Sequence, residues 1–418
     1  MGTQESSVVG QAGCRFCGQR LSVTFADLGM SPLANSYVPM KGANRMEPFY
    51  PLHAYVCTHC WLVQLEVFET AENIFDDYAY FSSFSESWLD HSRHYAQAMI
   101  DRFGFDGSSL VVEIASNDGY LLQYFREAGV PILGVEPAHT VAEAALKKGI
   151  PTRVEFFGTA AAEKMVREQL QADLLLGNNV LAHVPDLNDF VAGMKIVLKP
   201  RGVITMEFPH LTKLVDHCQF DTIYHEHFSY FSFSTVERVF ARHGLVLFDV
   251  EELPTHGGSL RIYARHVEDD SRPVLKRVAA LRTLEQQSGY ERLDLYRSFD
   301  ERVRETKRAF LSFMIEAKRN GKSVVGYGAA AKGNTLLNYC GARTDMIDYV
   351  VDRSPHKQNH LLPGTRIPVC APERIRQTKP DYVLILPWNL RDEVVAQMAH
   401  IREWGGRFVV PIPEVKVI

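Results

Sequence analysis

The sequence is short of several features, and each shortage removes a class of protein. No apolar run approaches the roughly 18 residues that a membrane-spanning helix needs, so no membrane partner is expected. The formal net charge is only −5, which leaves no global basic field for nucleic acid or anionic lipid. There is no low-complexity tract and no short tandem repeat. The seven cysteines are an odd number, and no leader pattern accompanies them. That usage argues against a secreted disulfide framework and for a reducing compartment, and we expect a cytoplasmic protein.

What is present is ordinary globular material, 46% apolar and 23% charged over 418 residues, enough for two or three domains. Residues 13–65 form a small module whose centre, 20–51, is rich in turn residues and has little sustained periodicity. Residues 68–104 read as helical with an interruption at 76–83. From 109 onward short apolar strands (110–115, 132–135, 173–178, 203–208) alternate with helical stretches at 121–128 and 141–148. That alternation predicts a parallel sheet, closed by an antiparallel pair over 245–253 and 259–265. Residues 270–320 are helical and charged. A second alternating unit follows, with strands at 323–327, 347–351, 382–386 and 407–410. The expected class is α/β, divided at 1–68, 69–266 and 267–418, and the chain is expected to act as a monomer.

Four of the cysteines form two C-x-x-C pairs, Cys14/Cys17 and Cys57/Cys60. Two such knuckles supply four thiolates in the closed tetrahedron that structural zinc prefers. The long intervening loop adds little closure entropy, and metal binding substitutes for a core that so small a segment lacks.

The run Val111-Val112-Glu113-Ile114-Ala115-Ser116-Asn117-Asp118-Gly119 reads as a strand ending in a tight loop, with a helix opening near Tyr120. Helix N-terminal amides and close backbone approach suit a carboxylate or phosphate. Ala115 and Asn117 stand where a glycine-rich fingerprint would place glycines, and Gly119 would allow close approach. The next strand ends at Glu136, placed for a ribose diol, a spacing shared by dinucleotide and S-adenosylmethionine folds. A further strand, the third in chain order, leads to Glu155, and the Phe156 and Phe157 that follow either flank an adenine or pack in the core. Asn178 and Asn179 follow the fourth, with His183 close behind, where a methyl donor would face its acceptor.

After the fifth strand comes Phe220-Asp221-Thr222-Ile223-Tyr224-His225-Glu226-His227-Phe228. Residue 229 is serine, so this is not H-E-x-x-H and a zinc-protease reading fails. Tyr224, Glu226 and His227 instead suggest proton transfer at the sheet's carboxyl edge. In the last module Gly326-Tyr327-Gly328-Ala329-Ala330-Ala331-Lys332-Gly333-Asn334 follows a strand and opens a helix. It resembles a phosphate-approach turn but lacks the Walker pattern. Asp352, Lys357, Trp388 and Asn389 lie at or just beyond strand ends there.

Taken together, the four cysteines, the 113–119 loop, Glu226-His227-Phe228, His256-Gly257-Gly258-Ser259, the run from Val325 to Lys332 and the closing Pro411-Ile412-Pro413-Glu414-Val415 resemble the sugar C-methyltransferases of deoxysugar pathways. The resemblance spans the whole chain. It implies a small N-terminal zinc module, a central class I methyltransferase Rossmann-like domain and a second Rossmann-like domain. The implied reaction is S-adenosyl-L-methionine-dependent C-methylation of a nucleotide-linked 4-keto-6-deoxy sugar, commonly at C-3. Tyr78, His183, Tyr224, Glu226 and His227 match active-site positions of the family; His227 is the expected base because its unperturbed pKa lies near neutrality, with Glu226 to orient or charge-tune it. The cofactor would be held by Glu113, Ala115, Asn117, Gly119, Glu136, Phe156, Asn178 and Asn179. The sugar nucleotide would be held by His256, Gly257, Gly258, Gly328, Ala329, Lys332, Asn334, Asp352, Lys357, Trp388 and Asn389. The run Glu207-Phe208-Pro209-His210 departs from the family pattern, and Phe208 and His210 are expected to alter sugar preference. The alternatives are an NAD-dependent sugar-nucleotide dehydrogenase, a sugar O-methyltransferase and a non-catalytic zinc-bearing interaction protein.

Overall fold

A computed structural model describes residues 13–69 and 81–418, and its three main sheets correspond to three modules. In the first, strand Val23–Ser31 pairs antiparallel with Tyr50–Val56, which pairs with Val63–Leu65. The turn-rich segment 20–51, with its little sustained periodicity, thus holds a nine-residue strand and the start of a second. Register shifts between Thr24 and Ala26 and between Asp27 and Met30 break the two-residue alternation by which a strand announces itself. The module also borrows its core: Phe25 stacks on Phe299 of the long helix Leu293–Arg319 at 4.4 Å. Its sheet is completed by Ser229–Tyr230 of the middle module, with Ser229 opposite Gln64 and Tyr230 opposite Val63.

The middle sheet has seven strands. Their spatial order is Leu245–Leu253, Ser259–His266, Leu198–Pro209, Ala172–Asn178, Val111–Ile114, Ile132–Val135 and Thr152–Arg153. Ser259–His266 runs antiparallel to both neighbours and the rest are parallel. Val111–Ile114 is buried at every residue, as a strand covered on both faces must be. The chain order reverses at Val111–Ile114, between Ile132–Val135 and Ala172–Asn178. The loops at that switch point open at the carboxyl edge, the usual ligand crevice. Helix Glu86–Phe103 lies beside this crevice. Ser85 caps it by accepting from the Trp88 amide, and left-handed Gly104 ends it.

The third sheet orders its strands Val369–Cys370, Val350–Val351, Val324–Tyr327, Tyr382–Ile385, Arg407–Val410 and Lys416–Val417. It is parallel but for the last strand, and a second switch point falls between Val324–Tyr327 and Tyr382–Ile385. The 38–39 segment pairs with 360–361, so the first and third modules also touch directly. Among the described residues no helix is long and apolar enough to cross a membrane.

Candidate active site

The cofactor loop makes the expected turn without its glycines. Ala115 and Asn117 take positive φ of 56° and 49°, a conformation that costs alanine more than asparagine and that only a constrained site retains. Glu136 is buried and ties two loops together: its carboxylate accepts from the Asn117 and Ala138 amides, each at 2.9 Å. Burial raises its pKa. Glu113 is wholly buried beside the Tyr120 hydroxyl, and desolvation drives its pKa well up. Gly119 (φ 76°) is glycine for a packing reason, since a Cβ there would meet Ile150 at 2.7 Å. Phe156 is exposed, whereas Phe157 packs edge-on against Phe190. Asn179 (φ 55°) donates to His256 Nε2 at 3.0 Å. Its Oδ1 is buried without a partner among the described residues, as is Ser116 Oγ. This crevice of buried carboxyls, left-handed turns and unsatisfied polar atoms suits an adenosyl cofactor carrying ribose hydroxyls and an amino-acid end.

Next to it stands the catalytic segment. His227 Nδ1 meets the Thr222 carbonyl at 2.8 Å, which fixes the proton on Nδ1 and leaves Nε2 as the basic atom. The ring lies 4.0 Å from Tyr224 and 4.7 Å from His183, centroid to centroid. Burial, followed by the neighbouring His183, pushes the His227 pKa well below the ordinary value. Burial takes His183 down to about 4, against a contact with the Glu226 carbonyl. Both rings are therefore neutral near pH 7. Glu226 does not orient His227: its Oε1 accepts from Asn35 of the first module at 2.7 Å, and burial raises its pKa to about 7. The orienting group is the Thr222 carbonyl instead. Tyr78 lies outside the described residues.

The third module closes the crevice. Trp388 Nε1 donates to Asp221 at 2.7 Å. Lys332 Nζ lies 4.7 Å from the Trp388 ring centre and donates to Asn389 at 3.1 Å. Burial lifts Asp221 to about 7 and lowers Lys332 to about 8. Gly257 (φ 92°) lets this tryptophan approach, since a Cβ would sit 2.5 Å from its ring; at Gly258 (φ 118°) a Cβ would meet Lys213 at the same distance. His256, also left-handed, has its pKa lowered to about 4 by burial. Gly328 gives way to Pro387 in the same manner. Three more of the expected sugar-nucleotide residues are likewise engaged within the protein. Asp352 accepts from the Ala329 amide at 2.8 Å, Lys357 donates to the Ala329 carbonyl at 2.8 Å, and Asn334 donates to the Ala34 carbonyl at 2.6 Å.

The expectation for Phe208 and His210 is overturned. Phe208 is a core residue packed edge-on against Phe231. His210 is buried between Glu285 and Thr212, both at 2.8 Å. Neither side chain reaches the crevice. The residue of that run that does matter is Glu207, whose carboxylate takes His91 (2.9 Å), Arg261 (2.8 Å) and Thr255 (2.9 Å). Its pKa falls to about 2: hydrogen bonds from His91 and Thr255 and the Arg261 charge outweigh the desolvation. His91 stacks on Trp88, which lies 5.1 Å from His256. Trp88 and His91 escaped the sequence reading, although their three-residue spacing puts them on one helical face.

The four cysteine sulfurs lie within 4.8 Å of one another, with Cys14–Cys60 and Cys17–Cys57 at 3.5 Å. A tetrahedron of Zn–S bonds of about 2.3 Å has edges of roughly 3.8 Å, so the cluster fits zinc. Hydrogen bonds from Cys57 and Cys60 drive Cys14 toward thiolate, while Cys60 is driven the other way by Cys14. A divalent cation is what lets four such sulfurs ionise together.

Fold, crevice and sulfur cluster together define an S-adenosylmethionine-dependent methyltransferase with a zinc-binding module. The chain belongs to the C-methyltransferase family. Residues 254–413 match the model described as C-methyltransferase C-terminal domain, 88–250 match Methyltransferase domain, and 14–75 match "Putative zinc binding domain". Over 408 residues the chain is 36% identical to the C-methyltransferase NovU of Streptomyces niveus, covering 97% of this chain and 96% of that one. A ubiquinone biosynthesis O-methyltransferase of Bartonella tribocorum is 26% identical over 95 residues, 22% of this chain and 38% of that one. The structure of magnesium protoporphyrin IX methyltransferase of Synechocystis with bound SAH matches 42% of this chain and 82% of that one, at 13% identity and a TM-score of 0.33. A likeness at that level decides nothing for this chain. The dehydrogenase, O-methyltransferase and non-catalytic readings give way to C-methylation.

Proposed function

We propose that the acceptor is a nucleotide-linked 4-keto-6-deoxy sugar, methylated at C-3 through an enolate. The observation that carries this reading is the neutral His227 with its proton held on Nδ1 by the Thr222 carbonyl, flanked by Tyr224 and His183. A proton next to a ketone is acidic enough for such a base, and the developing enolate oxygen needs donors beside it. His227 Nε2 takes the proton, its Nδ1 proton remaining on the Thr222 carbonyl. Tyr224, with Tyr78 or His183, stabilises the enolate oxygen. Glu226, held by Asn35, forms a wall of the sugar site, its carboxyl divided between acid and carboxylate near neutral pH. S-adenosylmethionine supplies an electrophilic methyl. In this reading Glu113, Ala115, Asn117, Gly119, Glu136, Phe156, Asn178 and Asn179 hold it beside the acceptor.

The diphosphate and base lie between the middle and third modules, against Lys332, Trp388, Asn389 and the 256–258 turn. Asp352, Lys357 and Asn334 support that surface from behind. The module limits remain 1–68, 69–266 and 267–418, and we read the chain as a cytoplasmic monomer that serves deoxysugar biosynthesis. Support comes from the whole-length kinship with a C-methyltransferase and from an acid–base cluster of the kind enolisation needs. The test is mass spectrometry of products across a panel of nucleotide 4-keto sugars with S-adenosylmethionine, followed by deuterium exchange at the ring carbon. The expected result is a gain of one methyl on carbon, at the position that exchanges. Methyl gain on oxygen, or none across the panel, would overturn the proposal.

A further inference from the structure

One side chain of the zinc knuckle, Arg15, reaches toward the reaction site. Arg15 follows the ligand Cys14, and its amide donates to Gln64 Oε1 at 2.9 Å. Gln64 is buried and donates in turn to Cys14 Sγ at 3.1 Å, the kind of outer contact that fixes a metal ligand. The guanidinium leaves the knuckle and forks. One nitrogen donates to the Pro185 carbonyl at 3.0 Å and the other to the Leu65 carbonyl. The group lies over the face of Phe228, 5.3 Å from the ring centre. Asn188 closes the grip from the other side by donating to the carbonyls of Arg15 and Phe16 at 3.1 and 3.0 Å.

The elements so held carry the two histidines. Pro185 is two residues from His183, and Phe228 is adjacent to His227. The two stretches are stitched to each other and to the first module: the Phe228 amide donates to Ala182 at 2.7 Å, and the Leu65 amide donates to Phe228 at 3.0 Å. A guanidinium that bonds 65 and 185 and lies over the Phe228 ring braces the 182–185 loop against the 226–228 segment, alongside the direct Phe228–Ala182 hydrogen bond. Between them these two stretches carry the His183 and His227 rings, 4.7 Å apart. A lysine in place of Arg15 has a single ammonium and cannot meet two carbonyls in the same planar fork.

We propose that Arg15 is a positioning residue, through which the zinc knuckle sets the spacing of the His183–His227 pair. The inference rests on the reading that these histidines line the reaction site, and the test keeps the two apart. Arg15→Lys and Arg15→Gln are prepared in the full chain. Zinc content, melting temperature and the ¹⁵N imidazole resonances of His183 and His227 against pH are measured, together with kcat and KM on the 4-keto sugar that the panel identifies. Both variants should keep one zinc per chain, displace both imidazole resonances and lower kcat by about 10- to 100-fold, the cost of a misplacement near 1 Å, with KM unchanged. Zinc-loaded variants whose imidazole resonances match wild type would overturn the proposal. So would variants that lose zinc and recover wild-type resonances when zinc is restored, since Arg15 would then act only by retaining the metal. Displaced resonances with unchanged kcat keep the positioning role and remove the histidines from catalysis. Should Arg15→Gln fail to fold, Arg15→Lys decides, and the resonances decide if no panel sugar is turned over.

Discussion

The Thr222 carbonyl accepts a hydrogen bond from His227 Nδ1 at 2.8 Å, and this one contact dictates which ring nitrogen can act as base. An asparagine at 227 keeps an amide N–H near Nδ1 for Thr222 but offers nothing in place of Nε2. We therefore expect His227→Asn to bind both ligands and to lose about 10²–10⁴-fold in kcat, the usual worth of general-base help. It should also slow exchange of the ring proton in deuterated water. Exchange that survives in a variant unable to methylate would transfer the base to Tyr224 or His183.

Glu136 joins the cofactor loop to the next strand through two backbone amides, and each carboxylate oxygen keeps a lone pair for a ribose hydroxyl. Glu136→Ala removes both functions. Isothermal titration should show S-adenosylmethionine binding weakened by about 1–3 kcal/mol, the range for a charge-assisted hydrogen bond. An affinity equal to wild type would place the ribose elsewhere.

Much of this site is legible in the sequence, and the misses have physical causes. The middle and third sheets read cleanly because buried parallel strands are short apolar runs separated by helices. The pair 245–253 and 259–265 matches the observed strands to within a residue. Val23–Ser31 did not read because its bulges scramble the alternation. Ala115 and Asn117 looked like defects in a fingerprint, yet both adopt the left-handed turn that glycine would have taken. Partners distant in sequence were the hardest. Nothing local says that Asn35, not His227, holds Glu226, or that Glu285 rather than a sugar occupies His210.

The sulfur cluster should carry one zinc per chain, and its removal should be felt beyond the knuckles, because the sheet they anchor is completed by Ser229–Tyr230. Cys57→Ser leaves three thiolates. Elemental analysis is expected to find the metal lost, and limited proteolysis to find new cleavage within 13–69. A variant with full zinc and wild-type protection would mean that Cys57 is not a ligand.

Asp221 makes stability depend on pH in a direction opposite to that of most carboxylates. Burial raises its folded pKa to about 7, against about 3.9 in an unfolded chain. Between those values the folded state holds the extra proton, so its contribution is fully present below about pH 4, shrinks as pH rises from there and is lost by about pH 7. Glu226, also raised to about 7 by burial, adds to the same trend. Glu207, lowered to about 2, works against it only at the acid end, losing its contribution as pH falls from the ordinary carboxylate range toward 2. Asp221→Asn copies the protonated form and keeps an acceptor for the Trp388 indole. Its melting temperature should lie closest to wild type near pH 4 and exceed it by a growing margin up to about pH 7, the gap then holding to pH 8. A constant difference across that range would show that Asp221 is ionised throughout, with Lys332 as its counter-ion.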